Sequence, residues 1–205
     1  MRIAVVGGTG DFGLALARRL VEAGDDVVVG SRDAERAAAK GAEISAAGAA
    51  NDDAVRGAEL VVLAVKADAA LPTAESLVAA IGSTPVLSVA SELRFSKTGV
   101  FPTDDARSIA ERTQELLSAP VVAGLHSLAA ASLAQGPADG DALVCGDDAG
   151  AKELALALAA KVITGRALDA GPLASARALE GMTAVIVNLN KRYRGHAGVE
   201  ITGLP

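Results

Sequence analysis

Along the chain, short runs of continuously apolar residues alternate with longer stretches in which apolar positions recur every three or four residues. The runs are IAVVG from residue 3, DVVVG from 26, ELVVLAV from 59, TPVLSVA from 84, APVVAGL from 119 and ALVCG from 142. Because they lack an apolar-polar alternation, they predict strands covered on both faces, as in a parallel sheet. The stretches between them, residues 12–23, 33–46, 68–81, 104–117 and 149–161, have helical length. Several carry an Asp near the start, where a negative charge complements the helix dipole. This order predicts an α/β fold with a doubly wound parallel sheet.

From Pro172 the pattern changes to one longer helix, PLASARALEGMTAVIVNLNKRYR, in which Leu179, Met182, Val185, Ile186 and Leu189 form an apolar stripe. Such a stripe serves a lid, an appendage or a dimer face. The tail GHAGVEITG is expected to add a last short strand. The expected division is a nucleotide-binding domain over 1–145 and a small, largely helical C-terminal portion over 146–205 that completes a cleft.

The first chemical signal sits between the first run and the first helix. Gly7 to Gly13 reads GGTGDFG, and Gly8, Gly10 and Gly13 have the GxGxxG spacing. The first glycine permits a tight turn, the second lets backbone approach a pyrophosphate, and the third lets the helix pack closely on the strand. The helix N-terminus then offers unpaired N–H groups to phosphate. With a second strand following, this predicts a Rossmann-type dinucleotide site. Where an acid often reads the ribose, about 20 residues on, the chain has Ser31 and Arg32. A hydroxyl and a guanidinium supply donors and positive charge, which suits the 2′-phosphate of NADP and not the bare hydroxyl of NAD. Thr9 is a further hydroxyl for that phosphate. The competing reading of Arg32 is a solvated cation at a helix start, and Asp33 is expected to cap that helix. The candidate cofactor-binding set is Gly7, Gly8, Thr9, Gly10, Asp11, Phe12, Gly13, Ser31, Arg32, Val65 and Lys66.

Composition narrows the partners. The 205 residues are 51% hydrophobic but only 2% aromatic, so the core is expected to be aliphatic and any flat ligand to lie between aliphatic walls. A net charge of −6 gives no general attraction for nucleic acid or an anionic membrane. The lone Cys145 cannot form an internal disulfide and reads as a small core residue. No export signal is visible, and the uncharged stretch 118–138 is broken by Pro120, Gly124, His126 and Pro137. The expectation is a cytoplasmic protein with neither nucleic acid nor membrane as partner, and a homodimer through the last helix.

The chemistry is bounded by elimination. Short-chain dehydrogenase chemistry needs a Tyr with a Lys four residues on, but the only tyrosine, Tyr193, is followed by Ala197. No HExxH, GxSxG or Cys/His cluster is present, so no metal and no side-chain nucleophile is expected. Hydride transfer from a bound cofactor remains.

Three blocks add to this: MRIAVVGGTGDFGLALARRL with VVVGSRDAERA, VVAGLHSLAAASLA with LVCGDD, and LDAGPLASARALEGMTAVIVNLN. Together they make the chain resemble, over almost its whole length, the NADPH-dependent reductases of the 5-deazaflavin coenzyme F420. The resemblance implies direct hydride transfer between nicotinamide C4 and deazaflavin C5 in one cleft, without a covalent intermediate. It assigns Gly7, Thr9, Gly10, Ser31 and Arg32 to NADP and puts His126 beside the deazaflavin, where it could hydrogen-bond the ring and help stabilise charge. The plainer reading of His126 is a residue that orders its loop. Lys191, Arg192 and Arg194 could meet the coenzyme's phosphate or glutamate tail, though cations at a helix end are favourable in themselves. The chain departs from the family pattern at VKADAA with Lys66 and at SVASEL, both expected to border the cleft. Two other readings stay open: an NADPH-dependent reductase of a small imine or carbonyl compound, with Lys66 or His126 as proton donor, and a non-catalytic NADPH-sensing module.

Overall fold

The computed structural model describes residues 1–204. The first apolar run forms β1 (Arg2–Val6), followed by α1 (Asp11–Glu22), β2 (Asp26–Ser31), α2 (Ala34–Ala42), β3 (Ala47–Ala50) and α3 (Asn51–Ala54). The chain then returns to β4 (Leu60–Leu63), on the other side of β1, and continues through α4 (Ala67–Ile81) to β5 (Val86–Ser88). A hairpin, β6 (Leu93–Ser96) and β7 (Gly99–Pro102), precedes α5 (Ile109–Leu116), β8 (Val121–Gly124), α6 (Ala130–Gln135) and β9 (Ala142–Gly146). The last elements are α7 (Ala149–Ala160), β10 (Ala167–Asp169), a 3₁₀ turn (Leu173–Ser175) and α8 (Ala176–Tyr193).

Eight strands make one sheet in the order β10-β9-β8-β5-β4-β1-β2-β3. The direction of winding reverses between β1 and β4, and the crevice beyond their carboxyl ends is where open α/β sheets bind ligands. Along each central strand, successive side chains enter opposite cores. Ile3 and Val5 pack with Leu16, Leu20 and Leu158 on one face, while Ala4 and Val6 pack with Leu77, Ile81 and Leu179 on the other. Burial on both faces is why the runs are continuously apolar.

The Rossmann-type doubly wound fold is therefore present, with local departures from the expected pattern that include the added hairpin β6–β7, α6 and β10 and four more. First, β9 pairs antiparallel with β8, so the sheet is mixed. An apolar run buried on both faces carries no record of direction. Second, α2 ends at Ala42, four residues before the expected end of the second helix, and an additional strand, β3, follows directly on that stretch. Its sequence AGAA has no branched residue to mark it, and Gly48 is required because a Cβ there would strike the Ala37 backbone of α2. Third, the expected helix over 104–117 begins only at Ile109, where Ser108 and Glu111 form a reciprocal capping box. Fourth, the tail forms no strand among the described residues. It is clamped instead: Asp141 N–H donates to Val199 O, and the Asp141 carboxylate accepts from Ile201 N–H at 2.8 Å and Arg166 N–H at 2.7 Å.

Candidate functional site

The glycine loop leaves β1 and turns at Gly7, whose φ is +79°. A Cβ on Gly7 would lie 2.6 Å from Ala64 O, and one on Gly13 would lie 2.6 Å from Gly7 O, so both positions exclude any side chain. Gly10 differs. Its φ of −82° is open to any residue, and a Cβ there would meet only Gly7 O, at 3.4 Å. Packing within the protein does not demand Gly10, so the space above it is the cradle that a closely approaching pyrophosphate needs. No side chain caps α1. Its first-turn N–H groups, from Asp11 onward, lack intrahelical acceptors and are available to phosphate.

Ser31 ends β2, beside the loop, and is buried. Its Oγ accepts the Asp33 N–H at 3.2 Å, leaving the hydroxyl proton free to donate. Asp33 caps α2 by accepting the Arg36 N–H at 3.0 Å, as expected. Arg32 is exposed and makes no ion pair among the described residues. Thr9 is half-buried in the loop. The residues present thus fit an NADP whose pyrophosphate lies over Gly10 and whose 2′-phosphate reaches Ser31 and Arg32.

Beyond the loop opens a cavity of about 830 Å³, within the usual range for ligand sites. Phe12 enters it from α1, Ala64, Val65 and Lys66 from the end of β4, and Leu125 and His126 from the end of β8. The two departures from the family pattern meet here, since Ser91 and Glu92 line the same cavity as Lys66. Phe12 and Phe95 are two of the chain's three phenylalanines, and both line it. The expectation of purely aliphatic walls is corrected accordingly: the few aromatics are concentrated where a flat ligand would lie. Sequence reasoning passed over Phe95, Thr103 and Thr183. Thr183 had no signal beyond its place near the apolar stripe, while Phe95 lies in a hairpin legible from the alternation in LRFSKTGVF.

His126 is turned inward by Leu125, a buried leucine at φ +65°. A left-handed conformation costs a branched residue roughly 1–2 kcal/mol, strain of the kind that collects at functional sites. The His126 Nε2 lies 3.3 Å from Ala90 O. A carbonyl only accepts, so Nε2 carries the ring proton. Burial pushes the imidazole pKa down to about 4, outweighing the opposing hydrogen bond to Ala90. The ring is therefore neutral near pH 7, and Nδ1 is a bare acceptor with no partner among the described residues. A neutral ring whose only proton faces Ala90 can accept from a ligand but does not offer a cation to stabilise negative charge. The Thr183 hydroxyl donates to His126 O at 3.0 Å, so at the 2.8 Å contact between Ser91 and Thr183 the Ser91 hydroxyl must be the donor. Glu92 is held by the Arg112 guanidinium at 2.8 Å and the Thr103 hydroxyl at 3.1 Å. Cys145 lies buried in β9, where desolvation raises its thiol to about 12, and it takes no part in the site.

Comparison with known proteins shows the family. Residues 2–92 match the family described as NADP oxidoreductase, coenzyme F420-dependent. The F420-dependent NADP reductase of Methanothermobacter marburgensis is 37% identical, with all of both chains covered. That of Methanothermobacter thermautotrophicus is 36% identical over all of this chain and 96% of its own. A candidate F420-dependent NADP reductase of Arthrobacter sp. FB24, known from a crystal structure, superposes with a TM-score of 0.83 at 26% identity, covering 99% of each chain. With 37% and 36% identity over its full length to the two Methanothermobacter enzymes, this chain belongs to the F420-dependent NADP reductase family.

Proposed function

We propose that the protein transfers a hydride directly between NADP(H) and the deazaflavin coenzyme F420. The observation that carries this reading is the cavity in which Phe12, just past the glycine loop, and Val65, at the end of β4, share a lining with Leu125 and His126. When bound, the two cofactors supply the hydride donor and acceptor carbons. The protein contributes proximity and orientation, for which no covalent step is needed. Gly7, Gly8, Thr9, Gly10, Asp11 and Gly13 hold the pyrophosphate, and Ser31 and Arg32 hold the 2′-phosphate. Phe12, Val65 and Lys66 border the nicotinamide. His126, neutral and fixed by Ala90, borders the deazaflavin from the cavity wall, while the apolar walls exclude water.

Residues 1–145 make up the nucleotide-binding part, and 146–205 complete the cleft through Thr183. The protein works in the cytoplasm as a homodimer. The surface proposed for pairing is the outer stripe of α8, where Val185, Leu189 and Tyr193 are 58%, 40% and 72% exposed. Among the described residues, no helix is long and apolar enough to cross a membrane.

The test is to mix purified protein with F420 and NADPH and to follow the visible absorbance of the deazaflavin. Bleaching that requires both NADPH and protein is expected. Activity on a cyclic imine without F420 reduction would favour the second reading, which the position of Lys66 on the cavity supports. NADPH binding without activity on either substrate would favour a sensing module.

A further inference from the structure

The hairpin β6–β7 is a built part of the cavity. At its root, Glu92 is tied to Arg112 and Thr103, and Ser91 to Thr183. Its second strand is riveted to α8 by the Asn188 amide, which donates to Val100 O at 2.7 Å and accepts Val100 N–H at 2.9 Å. The Arg177 guanidinium closes the exit of the hairpin by donating to Thr103 O and, at 2.9 Å, to Asp105 O. Alternation along β6 places Leu93 and Phe95 on one face, and both line the cavity. Phe95 is nevertheless 67% exposed. The Lys191 ammonium lies over one face of its ring, 5.5 Å from the centroid, and a lysine on one face leaves room for a flat ligand only on the other.

A large apolar ring left in water at the rim of a ligand cavity, on a hairpin fixed at both ends, gains its burial only when something flat lies against it. We propose that Phe95 is the roof of the second-substrate site: its free face covers the ring system of the deazaflavin on the side turned away from the nicotinamide, while Lys191 holds the phenyl ring in place. This rests on the proposed function, since the flat substrate is F420. It makes Phe95 a binding and orienting residue of this chain.

The experiment measures F420 affinity by quenching of the deazaflavin fluorescence, and NADPH affinity separately, for wild type, Phe95→Ala and Phe95→Tyr. Removing the ring is expected to weaken F420 by on the order of tenfold, the scale of aromatic stacking on a heterocycle. Phe95→Tyr keeps the ring and should retain near wild-type F420 affinity. NADPH affinity and the melting temperature of the apoprotein should stay unchanged, because Phe95 is mostly exposed before ligand binds. In steady state the F420 KM should rise more than kcat falls. An F420 affinity unaltered in Phe95→Ala overturns the roof, and doubly so if that variant shifts the oligomeric state, since Phe95 would then belong to a subunit contact. A wild-type protein that binds no F420 overturns the proposed function and the roof with it.

Discussion

At the residue scale, the glycines separate folding from binding. Gly13 is needed by the fold, because a Cβ would press to within 2.6 Å of Gly7 O and 2.9 Å of Gly8 Cα. Gly13→Ala is therefore expected to lower both the melting temperature and NADPH affinity. Gly10→Ala should leave the melting temperature near wild type and weaken NADPH on the order of tenfold, about 1.4 kcal/mol. Unchanged NADPH binding in Gly10→Ala would remove the pyrophosphate from that cradle. At the 2′-phosphate, a charge-assisted hydrogen bond is worth roughly 1.5–3 kcal/mol, so Arg32→Ala should cost one to two decades in NADPH affinity while leaving NADH nearly alone. Ser31→Asp should go further, by repelling the phosphate and accepting from the hydroxyl of NADH. Titrations of both cofactors at fixed ionic strength decide this, and equal wild-type affinity for NADPH and NADH would contradict it.

His126 and Glu180 write opposite pH dependences into stability. The folded protein refuses a proton at His126 until about pH 4, while the unfolded chain takes it near 6.5, so stability falls as pH drops through that window. The loss saturates at roughly 3 kcal/mol. Glu180 is 1% exposed, and desolvation raises its carboxyl to about 7 against the opposing hydrogen bonds from the Ala110 and Ile109 N–H groups. There the folded state keeps a proton that the unfolded chain releases near 4.5, so stability falls as pH rises from 4.5 to about 7. Because the two windows overlap, the contributions largely cancel in the wild type between about pH 4.5 and 6.5, so chemical denaturation across that range should show stability falling as pH rises for His126→Gln and falling as pH drops for Glu180→Gln. Identical curves for wild type and both variants would contradict these assignments. His126→Ala is also expected to weaken F420 with little effect on NADPH, whereas equal loss of both would mean that the residue orders the fold only.

At the scale of elements, what the sequence made legible follows from how each element is stabilised. β1, β2, β4, β5 and β8 are buried on both faces and read directly as apolar runs. The start of α1 was legible from its glycines and that of α2 from Asp33. The boundary of α5 was also written in the chain, as Ser108 with Glu111 three residues on, but the acidic pair Asp104 and Asp105, which has the look of a helix start, lies upstream of it. β3 was hidden because alanine and glycine pack there through backbone proximity. The missing tail strand has a similar cause: Val199 and Ile201 look like strand residues, yet they are held by Asp141 and Arg166, not by a ladder. Within the site, the glycine loop, Ser31 and His126 announced themselves by spacing or by chemistry, whereas Phe95 and Thr183 matter only through tertiary position. Lys66 immediately precedes α4, as its N-cap, with φ −63°, which proline shares, so Lys66→Pro should fold normally. Because Lys66 lines the cavity, this change toward the family pattern should alter the F420 KM. No change in the F420 KM would place Lys66 outside the site.

At the scale of the whole molecule, the reversal of winding between β1 and β4 places the glycine loop near the ring-sized cavity, an arrangement in which the two proposed cofactors would share one crevice. The sheet supplies rigidity, and the loops beyond its carboxyl ends supply the contacts. Dimerisation through Val185, Leu189 and Tyr193 should be abolished by Leu189→Asp, as measured by sedimentation, and a wild-type monomer would contradict the proposed interface. The central claim is that nicotinamide and deazaflavin meet face to face in this cavity and exchange a hydride directly. Isotope transfer tests it most directly: NADPH stereospecifically deuterated at C4 is incubated with the protein and F420 in ordinary water, and the reduced coenzyme is analysed by mass spectrometry and NMR. With deuterium on the face that is transferred, the account predicts the label at C5 of the deazaflavin. Reduced coenzyme without label from either face, or no reduction of F420 at all, would contradict it.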